Sequence, residues 1–256
     1  MYQYIESVRE GDFEVVTMVR PEKRNALSEA HLRELLDAFE HIAHGDARGA
    51  ILAARGPVFS AGHDFSDMAP RDEKEMRSLL DVCSELMQKL TAIPQVVIAQ
   101  VEGLATAAGC QLVASCDLAV ASEDARFATP GVNIGLFCST PMVAVSRNVS
   151  RKAAMEMLLL GDMVGAKEAK DIGLVNRVVP PDETVNAAVE LGRKIAEKPK
   201  ATLKIGKEAF YRQLEMPLAD AYAYTSRVMT ENMLARDAEE GIDAFLEKRE
   251  PKWEGR

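Results

Sequence analysis

Two short stretches carry the residues best suited to chemistry, Phe59-Ser60-Ala61-Gly62-His63-Asp64 and Gly103-Leu104-Ala105-Thr106-Ala107-Ala108-Gly109-Cys110. Their small side chains leave backbone N–H groups able to point into a shared cleft. Two such donors are what a thioester oxygen needs as it gains enolate charge. Ordinary tight turns produce the same composition, so the pattern alone leaves both readings open. His63 adds a side chain whose ordinary pKa lies near neutrality. Cys138 and Ser139 add a thiol and a hydroxyl, but a thiol of ordinary pKa needs an activating base that the sequence does not reveal, and lining a pocket is their simpler role. Lys23 with Arg24, and Lys248 and Arg249 with Lys252, are local basic clusters suited to phosphate or simply to solvent.

The elements that must position these residues follow from periodicity. The β-branched runs from 4 to 8 and from 13 to 19 flank Glu10-Gly11-Asp12 and predict a hairpin. Ser28 is a plausible N-cap for a helix whose Leu32, Leu35, Leu36, Phe39 and Ile42 recur at helical spacing up to Gly45. Buried strands are expected at 49–53, 95–99 and 118–121. A second amphipathic helix spans 72–92 and is stopped by Pro94, with further helices near 142–149 and 151–160. From Asp182 onward the pattern is almost wholly helical, which makes the chain an α/β core carrying a helical C-terminal region. His31, His41 and His44 lie on or just after the first helix and are expected to be exposed or partly packed. Asp117 is expected to organise the turn into its strand.

Composition narrows the function classes. The 256 residues are 47% hydrophobic, enough for a sizeable core, and the net charge of −9 argues against a nucleic-acid or anionic-membrane surface. A phosphate-bearing ligand must then meet one of the local basic clusters. The four cysteines lack metal-ligand spacing, so no metal site is expected. The N-terminus lacks a charged-then-apolar leader pattern and no run approaches ~20 apolar residues, so the expectation is a cytoplasmic protein with reduced thiols.

Ordered motifs extend over nearly the whole chain: Arg20-Pro21 with Asn25-Ala26-Leu27, the 59–64 stretch, Gly103 with Ala107-Ala108-Gly109-Cys110, Cys116-Asp117, Phe127-Ala128-Thr129-Pro130, Ala166 with Ala169, and Gly173-Leu174-Val175. In these the chain resembles the enoyl-CoA hydratase/isomerase (crotonase) superfamily, in particular its branch lacking the glutamate pair. The resemblance implies a spiral core of repeated β-β-α turns over 1–195 and a helical trimerisation region over 196–256. It also implies a homotrimer, or a hexamer as a dimer of trimers, acting on acyl-CoA, with coenzyme A entering as part of the substrate and no permanently bound cofactor. Carried over by position, the oxyanion donors are the backbone N–H groups of His63 and Ala108. The CoA contacts are Lys23, Arg24 and Ala26, with Ala61, Asp64 and Phe65 at the adenine end.

One departure decides how far activity follows. The positions of the hydratase glutamates are held by Gln111 and Gly131. An amide does not exchange a proton near neutral pH and glycine has no side chain. Each positioned acid or base contributes ~10²–10⁴-fold, so the two-glutamate mechanism is disfavoured. The open alternatives are chemistry through the backbone donors with Gln111 in the site, a non-catalytic acyl-CoA-binding or regulatory oligomer, and a hydrolase-like use of Cys138 and Ser139. Restoring both glutamates is expected to raise hydration more than either single change.

Overall fold

The computed structural model describes residues 2–69 and 72–255. Strands β1 (Ile5–Glu10) and β2 (Phe13–Met18) form an antiparallel hairpin that turns at Gly11, where φ is 59°. Helix α1 (Glu29–His44) begins where Ser28 Oγ accepts the His31 N–H, and it buries Leu32, Leu35, Phe39 and Ile42 along one stripe. Three turns of one pattern follow. Strands β3 (Gly49–Ala54) and β4 (Val58–Ser60) lead into α2 (Phe65–Met68) and α3 (Glu73–Ala92). Strands β5 (Val96–Val101) and β6 (Leu104–Thr106) lead into α4 (Ala108–Ser115). Strands β7 (Leu118–Ser122) and β8 (Arg126–Ala128) lead into α5 (Pro141–Asn148). Then come α6 (Arg151–Leu160), β9 (Val164–Gly165), α7 (Ala166–Asp171) and β10 (Arg177–Val179). Helices α8 (Thr184–Ala196), α9 (Lys200–Gln213), α10 (Leu218–Met233) and α11 (Arg236–Glu247) complete the order.

In each turn the first strand joins one sheet and the second strand another, which is the β-β-α spiral. The larger sheet has the order β1-β2-β3-β5-β7-β10 and is parallel beyond its first hairpin. Its central strands are apolar on both faces because both faces are covered. One face packs Val16, Leu52 and Val97 into the main core with Leu32, Leu35 and Leu86. The other packs Phe13, Ile51, Ile98 and Val120 against Ala188 of α8.

The smaller sheet, β4-β6-β8-β9, runs through both small-residue stretches and through 126–128 and 164–165, none of which the sequence pattern marks as strand. Strands of two or three residues are too short for alternation to register. They exist because Val58 pairs with Leu104 and Leu104 with Arg126, contacts remote in sequence.

One further residue differs from expectation, and another does more than expected. His31 is fully buried rather than exposed or partly packed, donating from Nδ1 to the Ala26 carbonyl at 3.1 Å and lying 5.8 Å from the Tyr4 ring. Asp117 does organise its turn, accepting the Val97 N–H at 2.7 Å, and it also holds α9. Lys207 Nζ donates to Asp117 Oδ2 at 2.7 Å and to the Leu90 and Gln95 carbonyls, while the Tyr211 hydroxyl donates to Asp117 Oδ1 at 2.9 Å. Burial pushes the Asp117 carboxyl up and the Lys207 ammonium down from their ordinary pKa values, against their mutual attraction. Beyond this tie α9–α11 leave Phe210, Leu214, Leu218, Met229, Leu234 and Phe245 exposed.

Candidate active site

The spiral brings the ends of β4 and β6 together. A β-carbon on Gly62 would meet the Ala107 Cβ at 2.9 Å and the Ala108 nitrogen at 3.2 Å, and one on Gly109 would meet the Ser60 carbonyl oxygen at 2.4 Å. Only glycine permits this approach, and Gly62 also sits at φ 87°. Ala107 adopts φ 49° and ψ −118°, a conformation costly for a residue with a side chain. Its N–H is fixed to the Ala128 carbonyl at 2.9 Å. That kink starts α4 abruptly. The bond from Gln111 N to Ala107 O begins the helix ladder, so the N–H groups of Ala108, Gly109 and Cys110 precede it and lie at the positive end of the helix dipole.

His63 reaches the same place from the other loop. Leu27 donates to the Gly62 carbonyl at 2.8 Å and accepts from Asp64 N at 3.3 Å, a parallel bridge that directs the His63 N–H away from Leu27. Both backbone N–H groups singled out in the sequence therefore belong to one junction. The His63 ring lies with Nδ1 3.4 Å from the Leu27 carbonyl oxygen.

The junction lines a cavity of about 490 Å³. Ala61, His63, Ala107 and Ala108 share its lining with the apolar Phe65, Met68, Leu80, Ile134, Leu136 and Phe137 and with Gly131, Cys138 and Ser139. No Asp, Glu, Lys or Arg lines the cavity among the described residues. Burial raises the Cys138 thiol above its ordinary pKa, so it stays protonated at neutral pH and the hydrolase-like reading lacks its thiolate.

The basic end is organised by Asn25. Buried and at φ 48°, it accepts the Arg20 N–H and donates to the Arg55 and Val58 carbonyls. Arg24 O accepts the Ala61 N–H at 3.0 Å, so Lys23, Arg24 and Ala26 run alongside Ala61, Asp64 and Phe65. Lys23 and Arg24 are exposed. Asp64 caps α2, and hydrogen bonds from Ser66 hold its carboxyl below the usual range, aided by Arg20 and Lys23. Phe65 stands in the cavity wall. The second basic cluster begins at Lys248, the C-cap of α11, and runs on past the helix, and Arg249 is paired with Glu240 and Glu247.

Gln111 is not brought to the cavity. It is buried, with Oε1 4.0 Å from Cys83 Sγ, and is absent from the lining. Gly131 does line the cavity, but a β-carbon there would meet the Leu136 carbonyl oxygen at 2.5 Å and Cys138 Sγ at 2.9 Å. The apolar walls escaped sequence reasoning. Ile134, Leu136 and Phe137 around Gly135, in a stretch with no helical or strand period, were the available signal.

Residues 9–256 match the family described as Enoyl-CoA hydratase/isomerase. The chain belongs to that family. It is 47% identical over 240 residues to human "Enoyl-CoA hydratase domain-containing protein 3, mitochondrial", covering 93% of this chain and 79% of that one. It is 34% identical over 245 residues to the 2,3-dehydroadipyl-CoA hydratase of Escherichia coli (strain K12), covering 94% and 95%. The solved structure of an enoyl-CoA hydratase from Mycobacterium smegmatis superposes with a TM-score of 0.96 at 48% identity, over 98% of this chain and 99% of that one. The family membership and these neighbours agree with the crotonase-type spiral. No helix among the described residues is long and apolar enough to cross a membrane.

Proposed function

We infer that this enoyl-CoA hydratase/isomerase family member binds a CoA thioester at the His63–Ala108 junction and polarises its carbonyl with those two backbone N–H groups. The observation that carries this reading is the 3.2 Å approach of the Gly62 Cβ position to the Ala108 nitrogen, with His63 and Ala108 both lining a largely apolar cavity. Donors fixed by the backbone cost no reorganisation when enolate charge develops, and one such donor is typically worth ~2.7–4 kcal/mol in a transition state. Lys23 and Arg24 supply exposed cations beside the Ala61–Phe65 segment for the phosphates and adenine end of CoA.

The proposed chemistry stops at polarisation. Gln111 and Gly131 offer no titratable group where a hydratase of this family has glutamates, so hydration of a crotonyl-type thioester is slow or absent. A non-catalytic, acyl-CoA-binding or regulatory oligomer remains the second reading, favoured by the absence of any carboxylate from the described cavity lining. The exposed apolar side chains of α9–α11 support a homotrimer or a hexamer built from it. Four free cysteines suit a reducing, cytoplasmic setting.

Calorimetry with acyl-CoA and the matching free acid tests the binding reading; equal affinity for the two removes CoA from it. Steady-state hydration of crotonyl-CoA, run beside thioester hydrolysis, separates the catalytic reading from the binding one. Light scattering at micromolar protein tests the oligomer, and a monomer defeats it.

A further inference from the structure

The cavity walls carry information about the acyl group that the junction does not. Five large apolar side chains stand unusually open to solvent around this one cavity: Phe65 at 61%, Ile134 at 58%, Leu136 at 47%, Phe137 at 44% and Leu80 at 37%. Met68 from the end of α2 lines the same cavity. They come from three separate parts of the chain, α2, α3 and the turn after Gly131, so their convergence is tertiary. Exposed apolar surface gathered in one concave site marks a place that an apolar ligand covers.

The polar side chains of the same lining are few: beside His63 they are the uncharged Asn133, Cys138, Ser139 and Thr140, and no described lining residue is an Asp, Glu, Lys or Arg. A carboxylate among the described lining residues would lose water and find no cation, whereas a methyl end would meet a mostly apolar wall.

We propose that this site selects thioesters with an uncharged aliphatic acyl chain of several carbons and rejects those whose acyl chain ends in a carboxylate, with the Phe65–Leu80–Phe137 wall as the specificity determinant. The proposal rests on the CoA-thioester reading above. It also separates this chain from its relative named as a 2,3-dehydroadipyl-CoA hydratase, whose named substrate keeps one free carboxylate at the far end of its acyl chain.

The test uses saturated thioesters, which bind without turnover: CoA itself, acetyl-CoA, hexanoyl-CoA and adipoyl-CoA, titrated by calorimetry into the full chain. Burying each added methylene is expected to tighten binding about four-fold. Acetyl-CoA to hexanoyl-CoA then spans roughly 10²-fold. Adipoyl-CoA has the same six carbons as hexanoyl-CoA but a terminal carboxylate, and is expected to bind at least about ten-fold more weakly than hexanoyl-CoA. Leu80→Lys, on an open position of α3, is expected to narrow that gap by improving adipoyl-CoA binding. Acetyl-, hexanoyl- and adipoyl-CoA binding within two-fold of one another, with CoA also binding, overturns the acyl selectivity and leaves the CoA reading standing. No binding of any of the four overturns both.

Discussion

A β-carbon on Gly62 would stand 3.2 Å from the backbone nitrogen of Ala108, so the two loops that carry His63 and Ala108 are set by contact with each other. Gly62→Ala is accordingly expected to act twice. It places a side chain at φ 87° and drives Cβ into Ala107 Cβ and Thr106 O as well. Stability should fall by about 2 kcal/mol or more, and acyl-CoA affinity should fall with it. Gly206→Ala is the matched control: nothing lies within 4 Å of its Cβ position, and it sits inside α9. It should gain about 0.5–1 kcal/mol. Urea unfolding and calorimetry on the two variants check both statements.

The buried pair of Lys207 and Asp117 supports the helical C-terminal region in a way that can be taken apart. Lys207→Met leaves the Asp117 carboxyl buried beside Cys116 and Tyr211 without its cation, a change expected to cost about 3–5 kcal/mol. Adding Asp117→Asn removes the orphaned charge while an amide oxygen still accepts from Val97 N. The double variant should therefore be more stable than Lys207→Met alone, and chemical denaturation of the three proteins gives the comparison.

His31 gives the fold an acid sensitivity of defined sign. Its Nδ1–H is committed to the Ala26 carbonyl, its Nε2 finds no hydrogen-bond partner among the described residues, and burial pulls its pKa down to about 4 from 6.5. The unfolded chain therefore binds this proton before the folded chain does. Stability from the neutral ring is fully present above pH 6.5 and is lost as pH falls from there toward 4. Between pH 7 and pH 5 this group alone should remove about 2 kcal/mol. A His31→Gln variant should show a correspondingly flatter profile over that window in urea unfolding; an unchanged slope sinks the assignment.

Sequence and structure divide according to whether the determining contact is local. The hairpin at Gly11, the Ser28-capped helix, strands β1, β2, β3, β5 and β7 of the large sheet and the helix over 73–92 depend on period and capping, which are written within a dozen residues; β10, three residues long, was not legible. The small sheet was not legible because β4, β6 and β8 have three residues each and depend on partners tens of positions away. His31 shows the same limit: its helical phase put it near the apolar stripe, but only the packing of Tyr4 and the Ala26 carbonyl buries it. At the site, the small-residue loops announced a close backbone approach and the structure places them together. The direction of Gln111, into the core toward Cys83, was set by helix phase after the strained Ala107 and could not be read from residue types.

That direction changes what restoring glutamates should do. On residue types alone, glutamate at both 111 and 131 would rebuild the acid/base pair. In the structure Gln111→Glu puts a carboxyl beside Cys83 in a buried region outside the cavity, where loss of water keeps it protonated and unable to draw a proton from an incoming water. Gly131→Glu faces a different obstacle. Its φ lies outside the left-handed region, but its β-carbon would press to 2.5 Å from the Leu136 carbonyl oxygen, inside the turn closed by the Leu136 N–H on Gly131 O at 2.9 Å. Opening that turn displaces Leu136 and Cys138, both of which line the cavity. Gln111→Glu is expected to fold with little change in hydration, and Gly131→Glu to lose about 1–3 kcal/mol of stability with weaker acyl-CoA binding. The double variant should gain no more hydration than the singles. Crotonyl-CoA hydration rates set beside unfolding curves for all four proteins decide the matter. A double variant that keeps native stability and hydrates at least ten-fold faster than either single variant would mean that this turn yields to a side chain and that position 111 can reach the thioester.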